Sequence, residues 1–372
     1  MFVNNKARCQ AESKKSRTNR THRLAKGAGG VVNESASDRV NSTHLQQASR
    51  KKINRFMKKR KLGDTDLAIA PIVFGGNVFG WTINKKQSFE MLDEFAAAGF
   101  NAIDTADVYS RWVEGNEGGE SESIIGEWMK SRGNREKMTV ITKVGSDVGQ
   151  GRKDLTEKHI LDAVDKSLGR LQTDHIDLYL THWDDDRTPV EETLGAYKKL
   201  IDAGKVRWIG ASNLSPERLQ ASLDASKSSD LPKYEVFQPE YNLYDRHGFE
   251  KGVGALCRDN GLGVITYYSL ANGFLSGKYR SERDQNKSIR GSRSLKYMND
   301  RGFRILGALD KLSDKHGVSQ AGIALAWLIN KPPVTAPIVS ATKISHLESF
   351  TEAAALDLSD NDMALLDEAS AY

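Results

Sequence analysis

The sequence predicts a (β/α)8 barrel, that is, an α/β TIM barrel. Three observations carry this. Eight short runs rich in β-branched or apolar residues recur along the chain, amphipathic helical stretches separate them, and several of those stretches close on a glycine just before the next run. The runs are IVFGG (72–76), NAIDTA (101–106), MTVITKV (138–144), HIDLYLTH (175–182), VRWIGAS (206–212), YEVFQ (234–238), GVITYYS (263–269) and APIVSA (336–341). A doubly wound sheet would alternate in the same way. It would also need a glycine-rich phosphate loop after the first strand. Here Gly75-Gly76 leads into Asn77-Val78-Phe79-Gly80, and no GxGxxG follows.

The elements can be taken in order. Before the first run, KLGDTDLAIA reads as a small capping hairpin with Gly63-Asp64 as turn residues. Ile160, Ala163, Val164, Leu168 and Leu171 recur at helical spacing and fall on one helix face. Leu194, Tyr197 and Ile201 do the same, and that helix stops at Gly204. Gly99, Gly133, Gly204 and Gly261 sit where a helix hands over to a strand, a position that favours positive φ. Two long polar loops, 107–120 and 278–300, suit functional covers. After the last run a helix is expected near 346–355. A C-terminal helix then starts at Ser359 or Asp360.

Composition narrows the class. The 372 residues contain two cysteines, Cys9 and Cys257, so no disulfide framework exists. That suits a reducing, cytoplasmic compartment. No run of about 18 apolar residues is present to span a membrane, and no Cys/His cluster has metal-ligand spacing. The net charge of +5 is unevenly spread. Residues 1–56 hold 13 of the 54 basic and 3 of the 49 acidic residues, leaving 41 and 46 for 57–372. The first 56 residues therefore read as a disordered basic extension, and 57–372 as the folded domain. A nucleic-acid or anionic-surface arm and a transit peptide are two functional readings of the extension. An unstructured leader ahead of a domain opening at Met57 is preferred, because a charge run is usually only solvated.

The chemistry gathers at strand ends. Asp104 closes NAID, Lys143 closes VITK, His182 closes LYLTH, and Tyr109 follows Asp104 by five residues. Barrel enzymes keep their chemistry at that end of the strands. A free phenol is a weak acid, and an adjacent ammonium favours its phenolate. Lys143 can supply that charge, Asp104 can hold Lys143, and His182 can orient a carbonyl oxygen. The four together polarise a C=O and deliver a proton to its oxygen. They lack a nucleophile for the carbon, and a reduced nicotinamide would supply one as hydride.

With these residues in place, the chain resembles the aldo-keto reductase family through nearly all of 62–372. GFNAIDTADVYS is similar to the family's second-strand motif, VITKVG carries Lys143 and DLYLTHW carries His182. TPVEETLGAYKKLIDAGKVRWIGASN (188–213) and YYSLANGFLSGKY (267–279) resemble two further family blocks. The resemblance implies Asp104, Tyr109, Lys143 and His182 as catalytic residues. It implies Ser212, Asn213 and Gln238 as partners of the nicotinamide carboxamide, and Tyr267 as the ring on which it stacks. Ser269, Leu270, Gly273 and Lys278 would pass over the pyrophosphate. Thr342 and Lys343 would meet an adenosine 2′-phosphate, favouring NADPH over NADH. Many members end that stretch with a Glu-Asn pair; here it reads Ser349-Phe350, so adenine recognition differs in detail.

Trp81, Trp112, Trp183 and Tyr268 are expected to wall the substrate pocket, which suits an aldehyde or ketone with some apolar body. The implied activity is reversible NADPH-dependent carbonyl reduction on a small-molecule substrate. Two alternatives belong to other classes. One is a cofactor-sensing regulatory subunit with slow chemistry. The other is a Schiff-base aldolase on Lys143, which leaves Ser212, Asn213 and Gln238 without a role.

Overall fold

The computed structural model describes residues 57–372; the basic extension expected over 1–56 lies outside the described residues. The described part begins with an antiparallel hairpin, β1 (Arg60–Lys61) and β2 (Ala68–Ile69). Gly63 takes φ +61° in its turn. A side chain there would collide with Glu235 O at 2.3 Å and Gly263 N at 2.7 Å. The hairpin thus lies against the N-terminal ends of two barrel strands. Its Leu62, Leu67 and Ile69 join the apolar cluster inside the barrel.

Eight parallel strands close the barrel: β3 (Val73–Gly75), β4 (Ala102–Asp104), β5 (Thr139–Val144), β6 (Ile176–Thr181), β7 (Val206–Ser212), β8 (Val236–Gln238), β9 (Gly263–Thr266) and β10 (Val334–Val339). Each pairs with the next in sequence, and β10 pairs with β3. All eight expected strands are present. Most are shorter than the expected runs: β4 ends at Asp104 rather than Ala106, and β8 begins at Val236 rather than Tyr234. β9 stops at Thr266. Tyr267 keeps only a single bridge to Glu240, and Tyr268 turns to φ +51°, which ends the extended run. β10 begins at Val334, ahead of the expected Ala336.

Strand alternation sorts side chains into two cores. Val73, Ala102, Ile141, Leu178, Leu180, Val236, Ile265, Ala336 and Ile338 fill the barrel interior. Phe74, Ile103, Val140, Tyr179, Ile209, Phe237 and Val264 face the surrounding helices. At Gly210 a Cβ would meet Val236 O at 2.5 Å and Leu180 Cδ2 at 2.6 Å, so the interior has no room for one.

The helices that matter here are α1 (Lys85–Ala97), α2 (Glu120–Arg132), α3 (Glu157–Leu171), α4 (Val190–Asp202) and α5 (Pro216–Ser228). Their starts are signalled locally. Asn84 and Gln87 form a capping box, while Thr156 and Ser215 accept backbone N–H bonds at their N-caps. Ile160, Ala163, Val164 and Leu171 bury the predicted face of α3, and Leu194 and Tyr197 that of α4. Gly99, Gly133, Gly204 and Gly261 all adopt positive φ, as their sequence positions imply. Past β10, a 3-10 turn (Ile344–Leu347) leads into a helix at Glu348–Ala355, and a last helix at Asp360–Ala369 is boxed by Ser359.

Candidate active site

Period-two alternation carries past the interior core to the strand exits. Ala102 is followed inward by Asp104, Ile141 by Lys143, Leu180 by His182, Gly210 by Ser212, Val236 by Gln238 and Ile265 by Tyr267. These polar residues gather at the C-terminal mouth.

Lys143 is fully buried. Its Nζ donates to Asp104 Oδ1 at 2.7 Å, to Thr105 O at 2.7 Å and to Tyr109 OH at 3.0 Å, which uses all three protons. The Tyr109 hydroxyl in turn donates to Asp104 Oδ1 at 3.2 Å. The other Asp104 oxygen accepts from Gln238 Nε2 at 2.8 Å. Burial draws the Lys143 ammonium below its ordinary pKa, and the charge and hydrogen bond of Asp104 oppose this. The phenol departs from expectation. Burial, then the charge and hydrogen bond of Asp104, hold Tyr109 well above its ordinary value. Lys143 does not turn this resting phenol into a phenolate, because Asp104 already neutralises the ammonium.

His182 Nδ1 lies 2.9 Å from Ser146 Oγ. Burial and the Lys143 charge push its imidazole well below the ordinary value, so it is neutral near pH 7. Asn213 takes φ +55°, where its Nδ2 donates to His182 O at 2.9 Å and to Ser212 Oγ at 3.0 Å. Ser212 Oγ donates to Gln238 O at 2.8 Å, and Tyr267 OH donates to Asn213 Oδ1 at 2.8 Å. One hydrogen-bonded chain therefore links Tyr267, Asn213, Ser212, Gln238, Asp104, Lys143 and Tyr109.

The next loop runs through unusual backbone. Tyr268, Ala271, Asn272 and Gly273 have φ of +51°, +47°, +55° and +89°. Ser269 is buried and donates to Thr266 O at 2.9 Å, and Leu270 opens the 3-10 turn Ala271–Ser276. Any Cβ on Gly273 would lie 3.1 Å from Lys278 Nζ. Across the chain, the Thr342 N–H donates to His346 Nδ1 at 3.4 Å. Burial and the charges of Lys278 and Lys343 lower the His346 pKa, which places these three basic groups together.

Ser349 and Phe350 do not continue this basic cluster. Phe350 is 1% exposed and packs edge-on against Phe74, Phe95 and Phe100, so it belongs to the core. Ser349 Oγ donates back to His346 O.

Aromatic rings wall the mouth. Trp81 and Trp112 meet edge-on at 5.4 Å, Tyr109 lies 6.0 Å from both Trp112 and His182, and Trp183 stacks on His182 at 6.1 Å. Tyr268 is edge-on to Tyr267 at 5.2 Å. Trp112, Trp183 and Tyr268 are the exposed members. Three side chains at the mouth escaped sequence reasoning. Ser146 gave no signal apart from its position just after β5, and His346 none apart from lying in the stretch after β10. Arg290 lies in the long Arg-rich loop. Its guanidinium stands 5.2 Å over Trp81, and none of the described carboxylates forms an ion pair with it.

Fold and mouth define a parallel (β/α)8-barrel protein whose C-terminal end collects hydrogen-bonded titratable groups beside an aromatic cleft. The sequence profile of the Aldo/keto reductase family matches residues 71–371, and the chain belongs to that family. It is 32% identical to the aldo-keto reductase YhdN of Bacillus subtilis (strain 168), over 82% of this chain and 91% of the relative. A probable aryl-alcohol dehydrogenase, AAD4, of Saccharomyces cerevisiae is 33% identical over 77% of this chain and 88% of its own length. A probable voltage-gated potassium channel subunit beta of Oryza sativa is 32% identical over 78% and 89%. Membership brings the family's general chemistry: oxidoreduction of small-molecule carbonyls with a nicotinamide cofactor. Among the described residues, no helix is long and apolar enough to cross a membrane.

Proposed function

We propose that the chain is an NADPH-dependent reductase of aldehydes or ketones in which Tyr109 supplies the proton. The observation that carries this is the closed Asp104–Lys143–Tyr109 set, with the phenol oxygen 3.2 Å from Asp104 Oδ1. A phenol held above its ordinary pKa keeps its proton through the neutral range. It gives that proton up only to a strong base, and a nascent alkoxide is one. To do so, the hydroxyl leaves Asp104 and turns towards the substrate oxygen. Lys143 stays beside the phenolate and stabilises it. If Ser146 donates to Nδ1 of neutral His182, Nε2 carries the ring proton and offers it to the same oxygen.

The residues present fit a nicotinamide dinucleotide. Tyr267 offers a ring face, Ser212, Asn213 and Gln238 offer hydroxyl and amide groups, and Gly273 allows close backbone approach. Lys278 and Lys343 gather charge for a phosphate beside the His346 ring, which favours NADPH. The bound cofactor supplies hydride to the carbonyl carbon. Gln238 Nε2 gives one proton to Asp104, which leaves its carbonyl oxygen and its second N–H for a carboxamide. The aromatic walls favour a flat or apolar substrate body.

Lys143 has every proton engaged and no exposure, which argues against its attacking a carbonyl as a Schiff-base amine. The test is a panel of aromatic and aliphatic aldehydes and ketones, with NADPH and NADH side by side. Turnover with NADPH supports the reading. NADPH binding without turnover on any member would replace it with a cofactor-sensing regulatory subunit; the rice relative is named a probable channel subunit.

A further inference from the structure

Asp107 lies between Asp104 and Tyr109, in the turn that carries the proposed proton donor. It is 4% exposed, and neither carboxyl oxygen has a hydrogen-bond partner among the described residues. Its backbone N–H donates to Lys143 O at 3.4 Å, which fixes the turn to β5. The Tyr179 hydroxyl, on the helix-facing side of β6, is also fully buried and without a partner. The two groups are electrostatic neighbours.

Charged neighbours around Asp107 come from several elements. Glu122 of α2 is fully buried, accepts from Arg170 Nε of α3 at 2.7 Å, and accepts from the Thr142 hydroxyl of β5. Arg170 is thereby already matched to one carboxylate. Lys143 is already matched to Asp104. Tyr197 of α4 adds only a phenol, and the pull of the adjacent Val108 N–H on the carboxyl falls short of hydrogen-bond geometry. An ionised Asp107 would be a third buried negative charge facing two cations that are both already paired. Burial, then repulsion from Glu122, raises its carboxyl well above the ordinary range, against the smaller pull of Arg170, Val108 and Lys143. Burying two polar groups without partners is costly, and native proteins satisfy such groups with ordered water or keep them for function.

We propose that Asp107 is a positioning residue of the reductase site: an uncharged carboxyl that ties the Tyr109 turn to β6 through a water shared with the Tyr179 hydroxyl. It touches neither substrate nor cofactor. It fixes where the phenol oxygen stands relative to Lys143, and a small displacement there is enough to slow chemistry. The inference rests on the proposed carbonyl reductase activity.

Three readouts test it. Infrared difference spectra of wild type minus Asp107→Asn should show the carbonyl stretch of a protonated carboxyl at neutral pH; its absence overturns the uncharged state. Asp107→Leu should lower kcat on the order of tenfold or more, with NADPH affinity unchanged. Asp107→Asn should recover to within about threefold of wild type, because an amide can bond the same water. Equal kcat for the Leu and Asn variants overturns the positioning role. Should Asp107→Leu fail to fold, Tyr179→Phe takes its place, with a smaller kcat loss expected and an unchanged kcat overturning the link.

Stability supplies the third readout. An acid whose pKa is raised on folding stabilises fully below its unfolded value, and that stability is lost as pH rises towards the folded value. Thermal stability of Asp107→Asn relative to wild type should therefore climb as pH rises above about 4. A difference independent of pH overturns the uncharged carboxyl. The spectra and the melting curves need no turnover, so failure of the reductase reading would leave them intact.

Discussion

The proposed acid side and the proposed phosphate side of the barrel mouth are finished to different degrees. On the acid side, Lys143 has three acceptors, Asp104 accepts from Lys143, Tyr109 and Gln238, and Asn213 ties to His182. On the phosphate side, Lys278, Arg290 and Lys343 form no ion pair among the described residues, and Lys278 and Arg290 lean on aromatic rings instead. Their loop also holds Tyr268, Ala271 and Asn272 at positive φ, a strain of roughly 1–3 kcal/mol each. The acid side is thus preorganised by strand ends that the core already fixes. The phosphate side keeps unneutralised charge on strained loops, as expected where an anion completes the structure.

The comparison breaks most readily at Tyr109. Tyr109→Phe should cut kcat by about 100-fold to 10,000-fold, the usual range for a lost general acid, while NADPH affinity stays within about twofold. Stopped assays and fluorescence titration measure the two separately, and retained turnover would remove Tyr109 from its role. Next in size is Lys143→Met. It leaves Asp104 buried without its cation, a loss of about 3–5 kcal/mol. The melting temperature should drop sharply and kcat with it. A stable variant would mean that the acid side is less tightly coupled than its hydrogen bonds suggest.

The phosphate side should answer differently. Lys343→Ala should raise KM for NADPH about tenfold, from losing a charge-assisted contact, with kcat unchanged and NADH kinetics unmoved. Melting should shift little, because Lys343 makes no bond that the fold needs. An equal effect on NADH would place Lys343 on a phosphate common to both cofactors.

Much of this was legible in the chain. All eight strands, the hairpin, the buried faces of α3 and α4 and the glycine caps follow from local patterns. The end of β9 was not legible. Tyr267, Tyr268 and Ser269 have good strand chemistry, but Tyr267 keeps only one bridge, to Glu240, and the chain turns out of the ladder at Tyr268, where φ is +51°. The departure at Ser349-Phe350 also resolves only in three dimensions, where Phe350 fills a space among Phe74, Phe95 and Phe100. The raised proton affinity of Tyr109 has a related cause. The spacing identified Lys143 as a neighbour, but not that Asp104 would bond both of them while burial removed water.

By itself, then, the sequence determined which side chains reach the inside of the mouth. A strand alternates with a period of two whatever surrounds it, so Asp104, Lys143, His182, Ser212 and Gln238 continue the inward series of Ala102, Ile141, Leu180, Gly210 and Val236. Only the tertiary structure decided how they meet. Barrel closure sets Gln238 against Asp104 across 134 positions of chain, and loop packing gathers Lys278 with Lys343 and His346. It also buries Asp107 beside Tyr179 with no hydrogen-bond partner for either. Such contacts depend on register, closure and the exclusion of water over the whole domain, and no local pattern encodes them.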